Sequence, residues 1–141
     1  MSIYYAETSA LLAWLLGEQA GVEILELLNS AQRVCTSRLT FIEATRCLVR
    51  AEANQQLSAA DVNKLRGWLA VCEREWEVLE IYSEICDRAQ QRFPHEPVRT
   101  LDAIHLASML QFVGIYGKLE VLSLDERIIK NLEPLGLEIV R

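Results

Sequence analysis

The chain has 141 residues, of which 51% are hydrophobic and 24% charged, the size and composition of one folded domain that buries a core without disulfide staples. Fourteen Lys plus Arg against twenty Asp plus Glu leave a net charge of −6, so no sequence-wide basic field exists to hold a nucleic-acid backbone nonspecifically. A histone-like or tail-driven binder is excluded; a nuclease is not, because carboxylates gathered around a divalent cation are neutralised by it.

The opening Met1-Ser2-Ile3-Tyr4-Tyr5 lacks a basic stretch followed by an apolar one, and no apolar run is long enough to cross a bilayer, so the expectation is a cytoplasmic protein without membrane contact. Ser2 to Ala6 reads as a strand. Leu11, Leu12, Leu15 and Leu16 then recur at helical spacing until Gly17. Val22, Leu25 and Leu28 predict a second helix, Arg33 to Thr36 a strand, and Leu39, Ile42 and Leu48 a third helix reaching about Asn54. Ser58-Ala59-Ala60-Asp61 is a capping box, and Val62, Leu65, Leu69 and Cys72 trace one face of the helix it opens. Trp76 to Ile81 reads as a strand, and Ile85, Ala89 and Phe93 as the apolar face of a helix that ends at Pro94 and Pro97. Another helix begins near Arg99 and stops at Gly114 or Gly117. Leu119 to Leu124 is a strand, Asp125 occupies a helix N-cap position, and Leu137 to Val140 is a last strand. Strands alternating with helices imply an α/β domain spanning residues 1–141: three layers, with a mainly parallel sheet of about five strands between helices. Cys35, Cys47, Cys72 and Cys86 form no CxxC and read as buried free thiols.

Ligands of an open α/β sheet gather beyond the carboxyl ends of its strands, which directs attention to polar residues there. Glu7 follows the first strand and Asp125 the fourth. Glu43 and Asp102 lie near helix beginnings, embedded among apolar residues. Taken singly, each has a structural account. Asp125 and Asp102 read equally as helix caps, and Glu43, with Arg46 at i+3 and Arg50 at i+7, as part of a surface ion-pair ladder. Glu7 is harder to explain in that way. Spacing alone does not show that the four converge.

These residues resemble the PIN-domain family, and more narrowly its VapC-type toxin ribonucleases. The resemblance runs along the whole chain: Ile3-Tyr4-Tyr5-Ala6-Glu7-Thr8-Ser9 is similar to the motif carrying the first acid, and Leu39-Thr40-Phe41-Ile42-Glu43 to the second. Arg99-Thr100-Leu101-Asp102-Ala103-Ile104-His105 carries the third, and Leu122-Ser123-Leu124-Asp125, followed by a short helix and Pro134-Leu135-Gly136, the last. The resemblance implies a PIN-like three-layer fold. It also implies hydrolysis of RNA phosphodiester bonds by water activated at Mg²⁺ or Mn²⁺, leaving a 5′-phosphate and a 3′-hydroxyl. Glu7, Asp102 and Asp125 would be direct ligands, Glu43 a ligand through water or the group orienting the nucleophile, and Ser9 and Ser123 supporting hydroxyls. A small antitoxin partner and a homodimer are implied as well. The chain departs from the family at Glu7, where Asp is usual; the added methylene moves the carboxylate by about one C–C bond against a cation that demands short, rigid distances.

Two other readings compete: a noncatalytic interaction module in which Glu7 has spoiled the metal site, and an RNA-processing PIN nuclease outside any toxin pair. A phosphatase ranks last, because no phosphate-cradling Gly-rich loop is present. His105, three residues after Asp102, reads as a packed helix histidine, with contact to a metal-binding acid as the alternative. His95 reads as an exposed loop residue. Trp14, Trp68 and Trp76 read as core or interface packing rather than base-stacking platforms. Arg33, Arg38, Arg46, Arg50, Arg92 and Arg99 are the available phosphate contacts, and the sequence leaves open which of them face the acids.

Overall fold

A computed structural model describes residues 2–140; Met1 and Arg141, the ends of the expected 1–141 domain, lie outside the described residues. In chain order the elements are β1 (Ile3–Ala6), α1 (Thr8–Leu15), α2 (Gly21–Ser30), β2 (Arg33–Ser37), α3 (Arg38–Ala53), α4 (Ala59–Glu75) and β3 (Glu77–Leu79). Then come α5 (Ser83–Ala89), α6 (Thr100–Tyr116), β4 (Glu120–Leu122), α7 (Glu126–Leu132), a 3₁₀ turn at Glu133–Leu135, and β5 (Glu138–Ile139). All five strands are parallel, in the order β3-β2-β1-β4-β5. The α/β architecture is therefore as expected.

The order follows from how the chain winds. It runs outward from β1 through β2 to β3, then returns to the other side of β1 and continues through β4 to β5. The direction of winding reverses between β1 and β4, so the loops after these two strands part and leave a crevice at their carboxyl ends. Glu7 and Ser123 are the residues placed there.

Strand periodicity divides the core into two faces. Tyr5, Cys35 and Val121 point to one side, where α6 and α7 bring Leu106, Met109, Phe112, Ile128 and Leu132. Tyr4, Ala6, Val34 and Leu122 point to the other, against Ala10, Ala13, Ile24 and Leu28 of α1 and α2. Beyond them α1, α3 and α4 share a second apolar contact through Leu11, Phe41, Leu48, Leu65 and Leu69. Each large side chain buried this way contributes about 1.5–3 kcal/mol. α6 is buried on most of its circumference, including Asp102, His105 and Ser108, which makes it the helix that carries polar groups into the interior. It runs through Gly114 and ends at Gly117, whose φ of 79° supplies the left-handed cap. Among the described residues no helix is long and apolar enough to cross a membrane.

Three strands, the edges β3 and β5 and the inner β4, are shorter than the apolar runs suggest. β3 covers Glu77–Leu79 rather than 76–81, β4 Glu120–Leu122 rather than 119–124, and β5 two residues rather than four. β3 and β5 are edges, where a strand has one partner and pairing stops early. The helix expected to reach Phe93 ends at Ala89. Phe93 precedes Pro94, which disfavours helical backbone, and it instead buries its ring from a loop while Glu96 Oε2 accepts from its amide at 2.8 Å. The cysteines are all free, but Cys47 is half-buried and Cys86 exposed, because Cys86 follows Ile85 on the outward face of α5.

α1 and α2 meet at Gly21. A Cβ there would lie 2.5 Å from the Ala13 carbonyl oxygen, a backbone atom that cannot swing away. Gly21→Ala should therefore cost about 1–3 kcal/mol by overpacking, read as a lower urea midpoint at unchanged slope.

Candidate functional site

The loop after β1 is built around Glu7. Its amide donates to the Leu122 carbonyl at 3.0 Å, and its own carbonyl accepts from Ala10 and Leu11, which starts α1. Glu7 is thus the N-cap of α1, and its side chain folds back as the capping group: Oε2 accepts from the Ser9 amide at 3.1 Å. Oε1 accepts from the Ser9 hydroxyl at 2.5 Å and from the Ser123 hydroxyl, across the β1/β4 seam, at 2.6 Å. Both serines are themselves fixed, Ser9 Oγ accepting from the Leu124 amide at 2.8 Å and Ser123 Oγ from the Asp125 amide at 3.1 Å. The carboxylate is only 4% exposed, yet it meets three donors. The reach of the extra methylene is used in returning to its own helix.

Asp125 caps α7, Oδ1 accepting from the Arg127 amide at 3.0 Å. Asp102 lies in the first turn of α6 and is buried, but it does not act as a cap. Its Oδ2 has no hydrogen-bond partner, and it is the one buried side-chain polar atom in that condition among the described residues. Burial pushes the Asp102 carboxyl above its ordinary value, and the charge of Asp125 pushes it further. Arg127 and His105 pull it back, and Glu7 adds a smaller push.

Glu43 belongs to a neighbouring group. Its Oε1 accepts from the Thr8 hydroxyl at 2.6 Å and lies 2.6 Å from His105 Nε2. Burial alone would raise this carboxyl; the hydrogen bond and charge of His105, with the Thr8 hydroxyl, outweigh it and hold Glu43 below its ordinary value. No ladder to Arg46 or Arg50 forms, because the side chain turns inward to His105. Hydrogen bonds therefore join Glu7, Ser9 and Ser123 across the β1/β4 seam and hold the Asp125 amide, Asp102 feels the charges of Asp125 and Glu7, and Glu43 is bonded separately to Thr8 and His105.

A PIN domain profile matches residues 4–133. The chain belongs to the PIN domain family. No curated protein matches it by sequence. Solved structures do resemble it. A chain of a toxin-antitoxin complex from Klebsiella pneumoniae is 18% identical, with a TM-score of 0.62 over 98% of this chain and 96% of that one. The Sarcin-Ricin loop cleaving toxin VapC20 of Mycobacterium tuberculosis is 16% identical, with a TM-score of 0.64 over 92% of this chain and 94% of that one. A chain of DNA-bound VapBC from Salmonella typhimurium is 18% identical, with a TM-score of 0.61 over 99% and 98%.

Within this PIN domain, the donor set fits a hard divalent cation at one point in particular. An unpartnered buried carboxylate oxygen on Asp102, repelled by Asp125, is what a bound cation would relieve. Among the described residues, however, no group of three or more His, Cys, Asp or Glu is already arranged as a cage.

Two residues carry more of the PIN domain's site than the primary pattern suggests. Arg127 acts on Asp102 and follows Asp125 by two positions, a spacing that nothing in the sequence marks. His105 is buried and touches Glu43; its i+3 offset from Asp102 was the available signal. His95 is exposed as expected, its backbone paired with Asn131. Of the arginines, Arg33 is engaged by Glu77 and Arg38 by Glu73 and Glu80, whereas Arg46, Arg50, Arg92 and Arg99 are exposed. Trp14 stacks on Trp68 at 5.7 Å, and Trp76 tilts against Phe41.

A carboxyl whose value is raised on folding destabilises the fold once ionised. Below its unfolded value it costs nothing; as pH rises through that value and the higher folded one, stability is lost. Asp102→Asn should therefore raise the thermal midpoint in EDTA at neutral pH, and the difference from the native protein should vanish below about pH 4.

Proposed function

We propose that this PIN domain, residues 1–141, is a divalent-metal-dependent endoribonuclease acting as the toxin of a toxin-antitoxin pair in the cytoplasm. The observation that carries the reading is the unpartnered Asp102 oxygen beside Asp125 and Glu7 at the β1/β4 crevice. Asp102 and Asp125 would hold Mg²⁺ or Mn²⁺, with Glu7 completing the set through lone pairs its three donors leave over. When bound, the ion supplies Lewis-acid stabilisation of the phosphorus-bound oxygens and lowers the pKa of water. The rest falls to the chain. Glu43, its charged form favoured by Thr8 and His105, is placed to orient or deprotonate the attacking water. Ser9 and Ser123 keep the Glu7 carboxylate from moving, and Arg127 offsets the charge around Asp102.

The toxin assignment draws support from the fold shared with chains of toxin-antitoxin complexes, and an antitoxin partner belongs to the same proposal. A groove of about 380 Å³, lined by Trp14, Trp68 and Trp76 together with Asn29 and Glu75, would offer such a partner a mixed apolar and polar seat. A homodimer is proposed on the family resemblance alone. One feature favours the second reading, a noncatalytic PIN module: both Glu7 oxygens are engaged by the Ser9 amide and by the Ser9 and Ser123 hydroxyls.

Purified protein incubated with structured and unstructured RNA in Mg²⁺, Mn²⁺ or EDTA separates the two. The nuclease reading expects metal-dependent fragments with 5′-phosphate and 3′-hydroxyl ends, reduced about 100-fold or more in Asp102→Asn. Absence of cleavage together with absence of a metal-induced thermal shift would establish the module instead.

A further inference from the structure

A chain of buried polar groups runs from the sheet to Glu43. Tyr5, in the middle of β1, is fully buried, and its hydroxyl lies 2.8 Å from His105 Nδ1. On the opposite edge of the ring, His105 Nε2 lies 2.6 Å from Glu43 Oε1 and 3.2 Å from the Thr8 hydroxyl. His105 is 1% exposed, so both ring nitrogens depend on protein partners.

The direction of the bonds follows from what each partner can do. A carboxylate only accepts, so the nitrogen facing Glu43 carries a proton. At the other nitrogen, Nδ1 pairs with the Tyr5 hydroxyl, which can donate or accept there. Thr8 adds a second donor to the same Glu43 oxygen. Two donors on Oε1 fix the carboxylate in rotation and leave Oε2 as the oxygen available to the crevice, in a side chain that keeps 25% of its surface exposed.

A packed helix histidine needs none of this. Leu106, Met109 and Phe112 fill the same face of the sheet with apolar side chains, and an apolar residue at 105 would leave the buried Tyr5 hydroxyl without a partner. The imidazole is explained by the bonds at its two ends. We propose that His105, braced from below by Tyr5, is a positioning residue that locks Glu43 through Oε1 and presents its other oxygen to the nuclease site. The inference rests on the nuclease reading for its effect on turnover, but not for the bond itself.

Three variants and one spectrum test it. His105→Leu should lower kcat on RNA about 10–100-fold with KM changed less than about twofold, as expected when an outer partner of an active carboxylate is lost. His105→Gln, whose amide N–H₂ reaches the place of Nε2–H, should recover about tenfold of that loss. Tyr5→Phe, which keeps the ring and the packing, should fall between the native protein and His105→Leu. Circular dichroism and thermal midpoints confirm that each variant folds; should His105→Leu fail to, Tyr5→Phe and His105→Gln carry the test. In ¹⁵N-histidine-labelled native protein, His105 should show a slowly exchanging Nε2–H proton that exchanges faster in Tyr5→Phe. Native-like turnover in both His105→Leu and Tyr5→Phe, or an Nε2 without a proton, overturns the proposal. An inactive native protein that still shows the protected Nε2–H, with faster exchange in Tyr5→Phe, removes the nuclease reading and leaves His105 positioning Glu43.

Discussion

Glu7 is an anion with almost no contact with water, and the structure around it is arranged to supply donors from both sides of the β1/β4 seam. A buried carboxylate without partners costs several kcal/mol. Here the charge is met by the first turn of α1 and by Ser123, and each serine is anchored by a backbone amide of the 124–125 segment. The same bonds therefore start α1, tie the end of β1 to the end of β4, and set where Asp125 leaves the sheet to begin α7. A change at Ser9 or Ser123 would loosen all three at once.

Asp102 stands in contrast. It is nearly as buried, faces the charges of Asp125 and Glu7, and keeps an oxygen with no partner. The α6 dipole favours an acid in this first turn, but an asparagine there would avoid both the repulsion and the burial of a charge. A destabilised acid retained beside a fully satisfied one is the pattern expected where a site is kept at the expense of stability. Glu43 follows the first strategy rather than the second, its charge stabilised by Thr8 and His105. The three acids thus differ in environment: Glu7 and Glu43 are met by donors, and Asp102 is not.

Most of the architecture was legible because it rests on periodicity. Tyr4, Tyr5 and Ala6 line β1 on alternate faces, and Val62, Leu65, Leu69 and Cys72 line one face of α4 behind a capping box that forms as written. These patterns are local, and burial enforces them. Edge strands are shorter than their apolar runs because such a run records burial, while a strand also needs a pairing neighbour. Phe93 misleads for a related reason: its ring fits a helical repeat, but Pro94 and Glu96 fix its backbone. Within the site, Glu7 and Asp125 were visible from their position after strands. The partnership of Glu43 was not, since His105 is 62 residues away in sequence and only the packing of α6 brings it near. Arg46 and Arg50 lie at spacings that suit an ion-pair ladder on an exposed helix face, but spacing does not record which way a carboxylate turns. Glu43 turns toward the buried donors, where its charge is stabilised more than a solvated arginine would stabilise it.

The charge balance narrows how an anionic substrate would be met. With a net charge of −6, and with Arg33 and Arg38 already engaged by Glu77, Glu73 and Glu80, long-range attraction has little to work with. Arg46, Arg50, Arg92, Arg99 and Arg127 stay exposed, and Arg127 is the one of these whose charge acts on Asp102. A cation held by Asp102 and Asp125 would invert the sign of the crevice, and the charge of Arg127 would add to that positive region. Such a site neutralises few phosphates, so its binding would lose little affinity with added salt compared with a broad basic groove.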